Sequence, residues 1–301
     1  MPDPGKHISV CVCTYKRPEL LQKLLEELCA QQVEGAFTYS IVIVDNDRFR
    51  SAESVVSAFA ASSRIPISYH LEPQQNIALA RNKAVASAEG DFVAFMDDDE
   101  VPLRNWLLTL FRACEQYKAA GVLGPVKCSF GENVPGWVVK GKFYERATYP
   151  TGFVIDGRKG RTNNTLLRRE VFADVPQPFR PEFRTGEDQD FFTRMIAKGH
   201  VFIWCDQAIV YEFVPPTRWK RSFMLRRALL RGATAPVHPS FGAADVAKSC
   251  VAVPLYTLGL PFALLRGQAS FMKLLVKLFD HFGKLFALVG INLIKEPYVT
   301  E

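Results

Sequence analysis

Phe92-Val93-Ala94-Phe95-Met96 runs without a break into Asp97-Asp98-Asp99-Glu100, and this stretch decides the fold. The apolar run is too short for a helix that buries itself, and Gly90 bounds it on one side and charge on the other. It reads as a fully buried strand with carboxylates at its carboxyl end. The same design recurs upstream, where the β-branched run 39–44 (Y-S-I-V-I-V) stops at Asp45-Asn46-Asp47. Between and around them the chain alternates. Residues 7–13 read as a first strand, and Pro18 opens a helix with Leu20, Leu21, Leu24, Leu25 and Leu28 on one face. A helix follows near 51–61, a strand at 67–71, and an alanine-rich helix over 76–88 that Gly90 closes. Downstream come a helix over 103–117 and a strand over 121–126.

Strand–helix alternation at this spacing predicts an α/β fold, a mostly parallel sheet flanked by helices on both faces. Ligands of such sheets bind at the carboxyl ends of the strands, so Asp45 and Asp97–Asp99 are expected to share one crevice. Residues 128–165 are rich in Gly, Pro and aromatics and read as irregular. A helix over 187–198 stopped by Gly199, then short strands at 201–205 and 208–213, complete a body spanning 1–213. Residues 214–301 form a tail of different character.

With 48% hydrophobic and 23% charged residues among 301, the composition excludes disorder, collagen and coiled coil. The seven cysteines are odd in number and contain no C-x-x-C pair, which argues against a disulfide scaffold or a zinc module and for a reducing compartment. Cys11 and Cys13 alternate on one strand face and read as core. No histidine has a metal-ligating partner at i+4, so none is assigned a role. Met1–Lys6 is polar and the first apolar run is strand-length, so no secretory leader is expected. Of 37 basic residues 12 lie beyond residue 213, against 4 of the 31 acidic ones, leaving the tail at +8 and the body at −2. A near-neutral body with a basic, apolar tail points to a polyanionic partner, anionic lipid or nucleic acid.

Three adjacent aspartates at a strand end repel one another unless a cation neutralises them. Carboxylates are hard ligands suited to Mg²⁺ or Mn²⁺, which takes one or two of them and fills its shell with water and phosphate oxygens. The triplet therefore reads as a metal–diphosphate site, the alternative being a solvated acidic turn. Thr185-Gly186-Glu187-Asp188-Gln189-Asp190 is a second cluster. It is either a general base presented at a helix start or acidic residues placed there by the helix dipole. Arg81 is either a surface arginine or a clamp for phosphate or carboxylate.

Together these residues resemble the family 2 glycosyltransferases of GT-A fold. The stretches that carry the likeness are V-C-V-C-T-Y-K-R-P from Val10, I-V-I-V-D-N-D from Ile41, Q-N-I-A-L-A-R-N-K-A from Gln75, D-F-V-A-F-M-D-D-D-E-V-P from Asp91, N-N-T-L-L-R-R from Asn163 and G-E-D-Q-D from Gly186. They cover about residues 6–235 in the family's order. The resemblance implies an inverting transfer from a nucleotide diphosphate sugar to a lipid-linked or polysaccharide-precursor acceptor. Thr14, Tyr15 and Arg17 would then lie against the nucleotide, Asp45 would accept from the base, and Arg81 would approach the sugar-nucleotide. Asp97 would lie near the ribose, Asp98 would support the site, and Asp99 would bind the Mn²⁺ or Mg²⁺. Asp188 would be the catalytic base, with Glu187 and Asp190 orienting it or the acceptor. One departure is V-Y-E-F-V-P-P at 210–216, where many relatives carry a metal-touching His and this chain has Glu212. Another is Pro215-Pro216-Thr217-Arg218-Trp219, which keeps the Arg-Trp of the Q-x-x-R-W motif of processive synthases without its Gln, and so favours single-sugar transfer.

The tail opens with Arg218, Lys220, Arg221, Arg226, Arg227 and Arg231 among Trp219, Phe223, Met224, Leu225, Leu229 and Leu230, a basic amphipathic pattern that reads as membrane-surface binding ahead of nucleic-acid binding. The apolar run 251–265 is short of the ~20 residues of a spanning helix and is interrupted by Pro254, Gly259 and Pro261. Residues 271–294 are apolar with lysines along one face. An interfacial or re-entrant tail on the cytoplasmic face of the membrane is expected, with a true span and a packed soluble cap as its rivals. Two other functions fit parts of the pattern. Asp97-x-Asp99-x-Val101 matches the D-x-D-x-V of haloacid-dehalogenase-type phosphatases, though those place it on the first strand, and a non-catalytic membrane-bound binder of sugar nucleotides would share the site.

Overall fold

The computed structural model describes residues 5–183, 185–238, 241–291 and 293–294. The first half contains β1 (His7–Thr14), α1 (Pro18–Cys29), β2 (Thr38–Asp45), α2 (Glu53–Ser62), β3 (Ile67–Leu71), α3 (Ile77–Ser87), β4 (Phe92–Asp97), β5 (Glu100–Pro102), α4 (Trp106–Tyr117), β6 (Gly121–Leu123), β7 (Val126–Phe130) and α5 (Gly136–Gly141). Then follow β8 (Thr165–Arg168), α6 (Glu187–Ala197), β9 (Phe202–Trp204), β10 (Val210–Val214), α7 (Pro216–Trp219), α8 (Arg221–Thr234), α9 (Ala243–Leu265) and α10 (Gln268–Leu288).

Two compact units divide the chain. The first comprises Met1–Cys128, Arg146–Pro181 and Gly186–Phe213, and the second Ser129–Glu145, Glu182–Thr185 and Val214–Glu301. The main sheet runs β3-β2-β1-β4-β8-β6-β9, and only β8 opposes its neighbours, so the sheet is mostly parallel, as the alternation predicts. Side chains sort by strand parity. Ile8, Val10, Val12, Ile41, Ile43 and Met96 pack with the leucines of α1 and with α4 on one face. On the other, Cys11, Val42, Val44, Val93 and Phe95 pack with the alanines of α3 and with Phe191 and Phe192 of α6. Leu21, Leu24, Leu25 and Leu28 are fully buried, and Leu20 is the one leucine of the expected stripe left at its edge. Cys11 is core, and burial pushes the Cys13 thiol up to about 12.

A second sheet, β5-β10-β7, was not legible as such. The expected strand 121–126 breaks into β6 and β7 at Gly124-Pro125, because Pro125 has no N–H to extend a ladder. A Cβ at Gly124 would also stand 2.3 Å from the Ala208 carbonyl oxygen. Gly90 does not close α3 either; the helix ends at Ser87, and Gly90 lets the chain entering β4 pass β1, where a Cβ would lie 2.5 Å from the His7 oxygen. At the register position beside the aspartate triplet, β10 pairs antiparallel with β5 so that Glu212 faces Glu100, and the Phe213 N–H donates to the Asp99 carbonyl at 3.0 Å.

In the second unit α10 packs on α8, α9 and α5. The α8–α10 crossing needs glycine on both sides: a Cβ at Gly232 would meet the Asp280 oxygen at 2.1 Å, and one at Gly283 the Leu229 oxygen at 2.4 Å. Two tail expectations are corrected. α9 runs unbroken through Pro254 and Pro261 for 23 residues, long and apolar enough by length and composition to cross a membrane. The basic stripe is not wholly outward, because Arg218 is buried and Arg231 pairs with Asp280 at 2.7 Å. Met224, Ala228 and Leu230 of α8 are buried, whereas α9 leaves Leu255, Leu258 and Phe262 at 62, 73 and 70% exposure.

Candidate active site

The aspartate triplet leaves the sheet at the end of β4, and the β1–α1 turn closes over it. Thr14, the last residue of β1, donates its hydroxyl to Asp98 Oδ2 at 2.7 Å. Lys16 takes a left-handed φ of 56°, and Arg17 then reaches Asp98 at 3.1 Å and Asp99 at 3.2 Å through Nη1. Tyr15 is half-buried, with the Lys16 ammonium 5.2 Å from its ring. Burial, opposed by Arg17 and reinforced by Asp99, pushes the Asp98 carboxyl up to about 6.

Arg81 is not a surface residue. Asn76 caps α3 by accepting from the Ala78 N–H at 2.9 Å, and the helix carries Arg81 inward until 7% of it remains exposed. Its guanidinium bridges two elements, ion-pairing with Glu187 at the start of α6 and lying 3.6 Å from Asp97 at the end of β4. Burial opposes the arginine's charge, but Glu187 first and Asp97 next hold it more firmly protonated. Glu187 is pushed up to about 7 by burial, against the pull of Arg81. Asp97 is raised by desolvation and by Asp99, yet it keeps 41% of its side chain open.

The three acids of the second cluster have three different fates. Glu187 holds Arg81. Asp190 is clamped by Arg180 and by Arg194 one turn on, at 2.9 and 2.8 Å to their Nε atoms; burial opposes its charge, but these bonds keep its carboxyl below the ordinary range. Asp188 is half-buried, and its carboxylate accepts only from the adjacent Gln189 N–H among the described contacts, at 2.8 Å. Gly186, at a φ of 86°, makes the turn that starts α6 and sets Asp188 in its first turn.

Asp45 is fully buried, and its oxygens accept from the Asp47 N–H, the Ala52 N–H and the Tyr69 hydroxyl at 2.9, 2.8 and 3.1 Å. These bonds brace the β2–α2 loop. Three residues of the site were not singled out from sequence. Glu100 is 1% exposed, held by the Asn163 amide at 2.8 Å and the Asp97 N–H at 3.2 Å, and raised by burial and by Asp97, Asp99 and Glu212. Arg146 ion-pairs with Glu212. The N-N-T motif was the available signal for Asn163, and its neighbour Asn164 is purely structural, tied to Trp106, Pro125 and Ala208.

The cluster thus gathers Asp97, Asp98, Asp99, Glu100, Glu187 and Glu212 against Arg17, Arg81 and Arg146. Excess negative charge at a strand end fits a divalent cation. Among the described residues no group of three His, Cys, Asp or Glu side chains is arranged to hold a metal ion.

A mostly parallel sheet with clustered carboxylates at its strand ends is the architecture of an α/β enzyme with a polar site at the strand ends, and sequence comparison fixes the class. Residues 9–175 match Glycosyl transferase family 2, and the chain belongs to that family. It is similar to the succinoglycan biosynthesis protein ExoM of Rhizobium meliloti, 35% identical over 236 residues, which are 78% of this chain and 75% of ExoM. It is also similar to a glucosyl-dolichyl phosphate glucuronosyltransferase of Haloferax volcanii, 28% identical over 56% of this chain and 54% of that protein. Among solved structures, the mannosyltransferase PcManGT of Pyrobaculum calidifontis, in complex with GDP-Man and Mn²⁺, aligns with a TM-score of 0.61 at 18% identity, covering 95% of this chain and 89% of that one. The 1–349 portion of S. aureus TarS, in complex with UDP, aligns at 0.54 with 16% identity over 96% and 93%. This chain spans 55% of the longer TarS chain. The fold is GT-A and the protein is a glycosyltransferase, which displaces the phosphatase and non-catalytic readings.

Proposed function

We propose that the enzyme transfers one sugar, with inversion, from a nucleotide diphosphate sugar to a hydroxyl of a lipid-linked or polysaccharide-precursor acceptor. The observation that carries this reading is the Arg81 bridge, which ties Asp97 at the end of β4 to Glu187 at the start of α6, the residue next to Asp188. Thr14, Tyr15 and Arg17 bound the nucleotide side, and Arg17 and Thr14 fix Asp98 so that Asp99 is held in place. Asp99 would hold the Mn²⁺ or Mg²⁺, with Glu212 the nearest substitute for the His of relatives. A divalent cation there supplies charge stabilisation to the departing diphosphate. Asp188, whose carboxylate makes no ion pair among the described residues, is the group assigned to take the acceptor proton, a role contributing ~10²–10⁴-fold. Glu187 and Asp190 act as positioning residues, one through Arg81 and the other through Arg180 and Arg194.

The relation to a succinoglycan biosynthesis protein and the exposed apolar face of α9 support action at the cytoplasmic face of a membrane, the tail lying on or in the anionic surface. A thermal-shift panel of nucleotide diphosphate sugars with and without Mn²⁺ tests the donor assignment. A ligand at 100 times its Kd stabilises by ~2.7 kcal/mol, and one sugar nucleotide is expected to do so only with metal. No shift with any of them would refute it.

A further inference from the structure

A cavity of about 170 Å³ lies within the first unit, lined by Arg146, Arg158, Lys159, Arg161, Asn163 and Trp204 among others, with no acidic residue in its wall. That volume far exceeds the ~15 Å³ that a single water needs. Arg146 and Lys159 are paired to Glu212 and Asp156. Arg158 and Arg161 are exposed, and their guanidiniums make no hydrogen bond or ion pair among the described residues. Trp204, 6% exposed, adds an aromatic side chain to this wall. Guanidinium forks beside an ammonium suit the oxygens of phosphate or carboxylate.

The cavity is joined to the site but is not the donor's. Asn163 and Arg146 also hold Glu100 and Glu212 of the carboxylate cluster. None of Thr14, Tyr15, Arg17, Arg81, Asp97, Asp98 or Asp99 lines it. Resting on the transfer reading above, we propose that this cavity is a second anion subsite, which takes a phosphate or carboxylate group borne by the acceptor and so selects anionic acceptors. An anion seated here is gripped by metal-independent cations, whereas the carboxylate cluster holds one only through its cation.

The test is calorimetric titration of the full-length protein in detergent and EDTA, with inorganic pyrophosphate in one arm and glucuronate in the other. Wild type is expected to bind at least one, and the arm that binds identifies the source as a diphosphate or a sugar acid. Arg158→Ala/Arg161→Ala, which removes exposed cations without breaking an ion pair, should weaken that binding at least about 10-fold. Its nucleoside diphosphate affinity with Mn²⁺ should stay within about two-fold, as expected of separate sites. The proposal is overturned if neither anion binds, if the double variant binds as wild type does, or if nucleotide affinity falls equally, since the cavity would then belong to the donor. Asp99→Asn separates the two readings: it should lose nucleotide and keep the anion. Anion binding in a protein that takes no sugar nucleotide would overturn the functional reading and the acceptor assignment with it.

Discussion

Replacing Arg81 with alanine removes the cation shared by Glu187 and Asp97 and leaves Glu187, 6% exposed, facing the cluster alone. Breaking a buried pair in this way costs about 3–5 kcal/mol. At ~2–4 °C per kcal/mol for a unit of this size, the melting temperature should fall by roughly 6–20 °C at pH 8. Protonation gives Glu187 an escape. Its folded pKa, about 7, lies above its unfolded value, so its contribution to stability is fully present at low pH and is lost as pH rises through 7. Without Arg81 that pKa climbs further and the loss steepens. The variant should therefore lie closer to wild type at pH 5.5, where a lost hydrogen bond of ~1–3 kcal/mol is the main penalty. Melting curves across pH 5.5–8.5 check this, and Arg81→Ala/Glu187→Gln should recover part of the loss at pH 8. A destabilisation equal at every pH, with no recovery in the double variant, would refute the electrostatic account of the bridge.

Asp99→Asn should leave the fold intact and weaken nucleotide diphosphate binding sharply, because it removes charge where the cation is held; calorimetry giving equal affinity with and without EDTA would contradict this. Since burial and mutual repulsion push Asp98 up to about 6, cation binding should strengthen as pH rises through that value, and the Mn²⁺-induced thermal shift should be larger at pH 8 than at pH 5.5. A shift independent of pH would count against the cluster as the metal's seat. Leu255→Ser/Leu258→Ser/Phe262→Ser on α9 should abolish binding to anionic vesicles with little change in melting temperature, because each exposed side chain contributes ~1.5–3 kcal/mol of burial only when it meets lipid. Flotation assays read the outcome, and undiminished binding would move the membrane contact elsewhere.

The strands of the parallel sheet were legible because each apolar run ends abruptly on charge or a turn, and Asp97–Asp99 stood out for the same reason. β5 and β8 are three and four residues long, and so short a run carries no periodicity to read. The burial of Arg81 was hidden because α3 is alanine on several sides and shows no polar face to place it against. Asp45 was legible as a carboxylate at a strand end, while its bonds to the loop that follows are visible only in the geometry. Arg146, in a stretch without regular pattern, reaches the site through Glu212, a partner 66 residues away. In the tail, Pro254 and Pro261 suggested a broken segment, and the helix tolerates both.

In the proposed mechanism Asp188 takes the proton from the acceptor while the β4 carboxylates hold the donor. Single-turnover kinetics of Asp188→Asn, with donor affinity measured in the same preparation, test it most directly. The expected result is near-normal donor affinity with turnover reduced at least ~10²-fold. If turnover survives in Asp188→Asn and collapses instead in Asp190→Asn, the base has been assigned to the wrong carboxylate and the claim is contradicted.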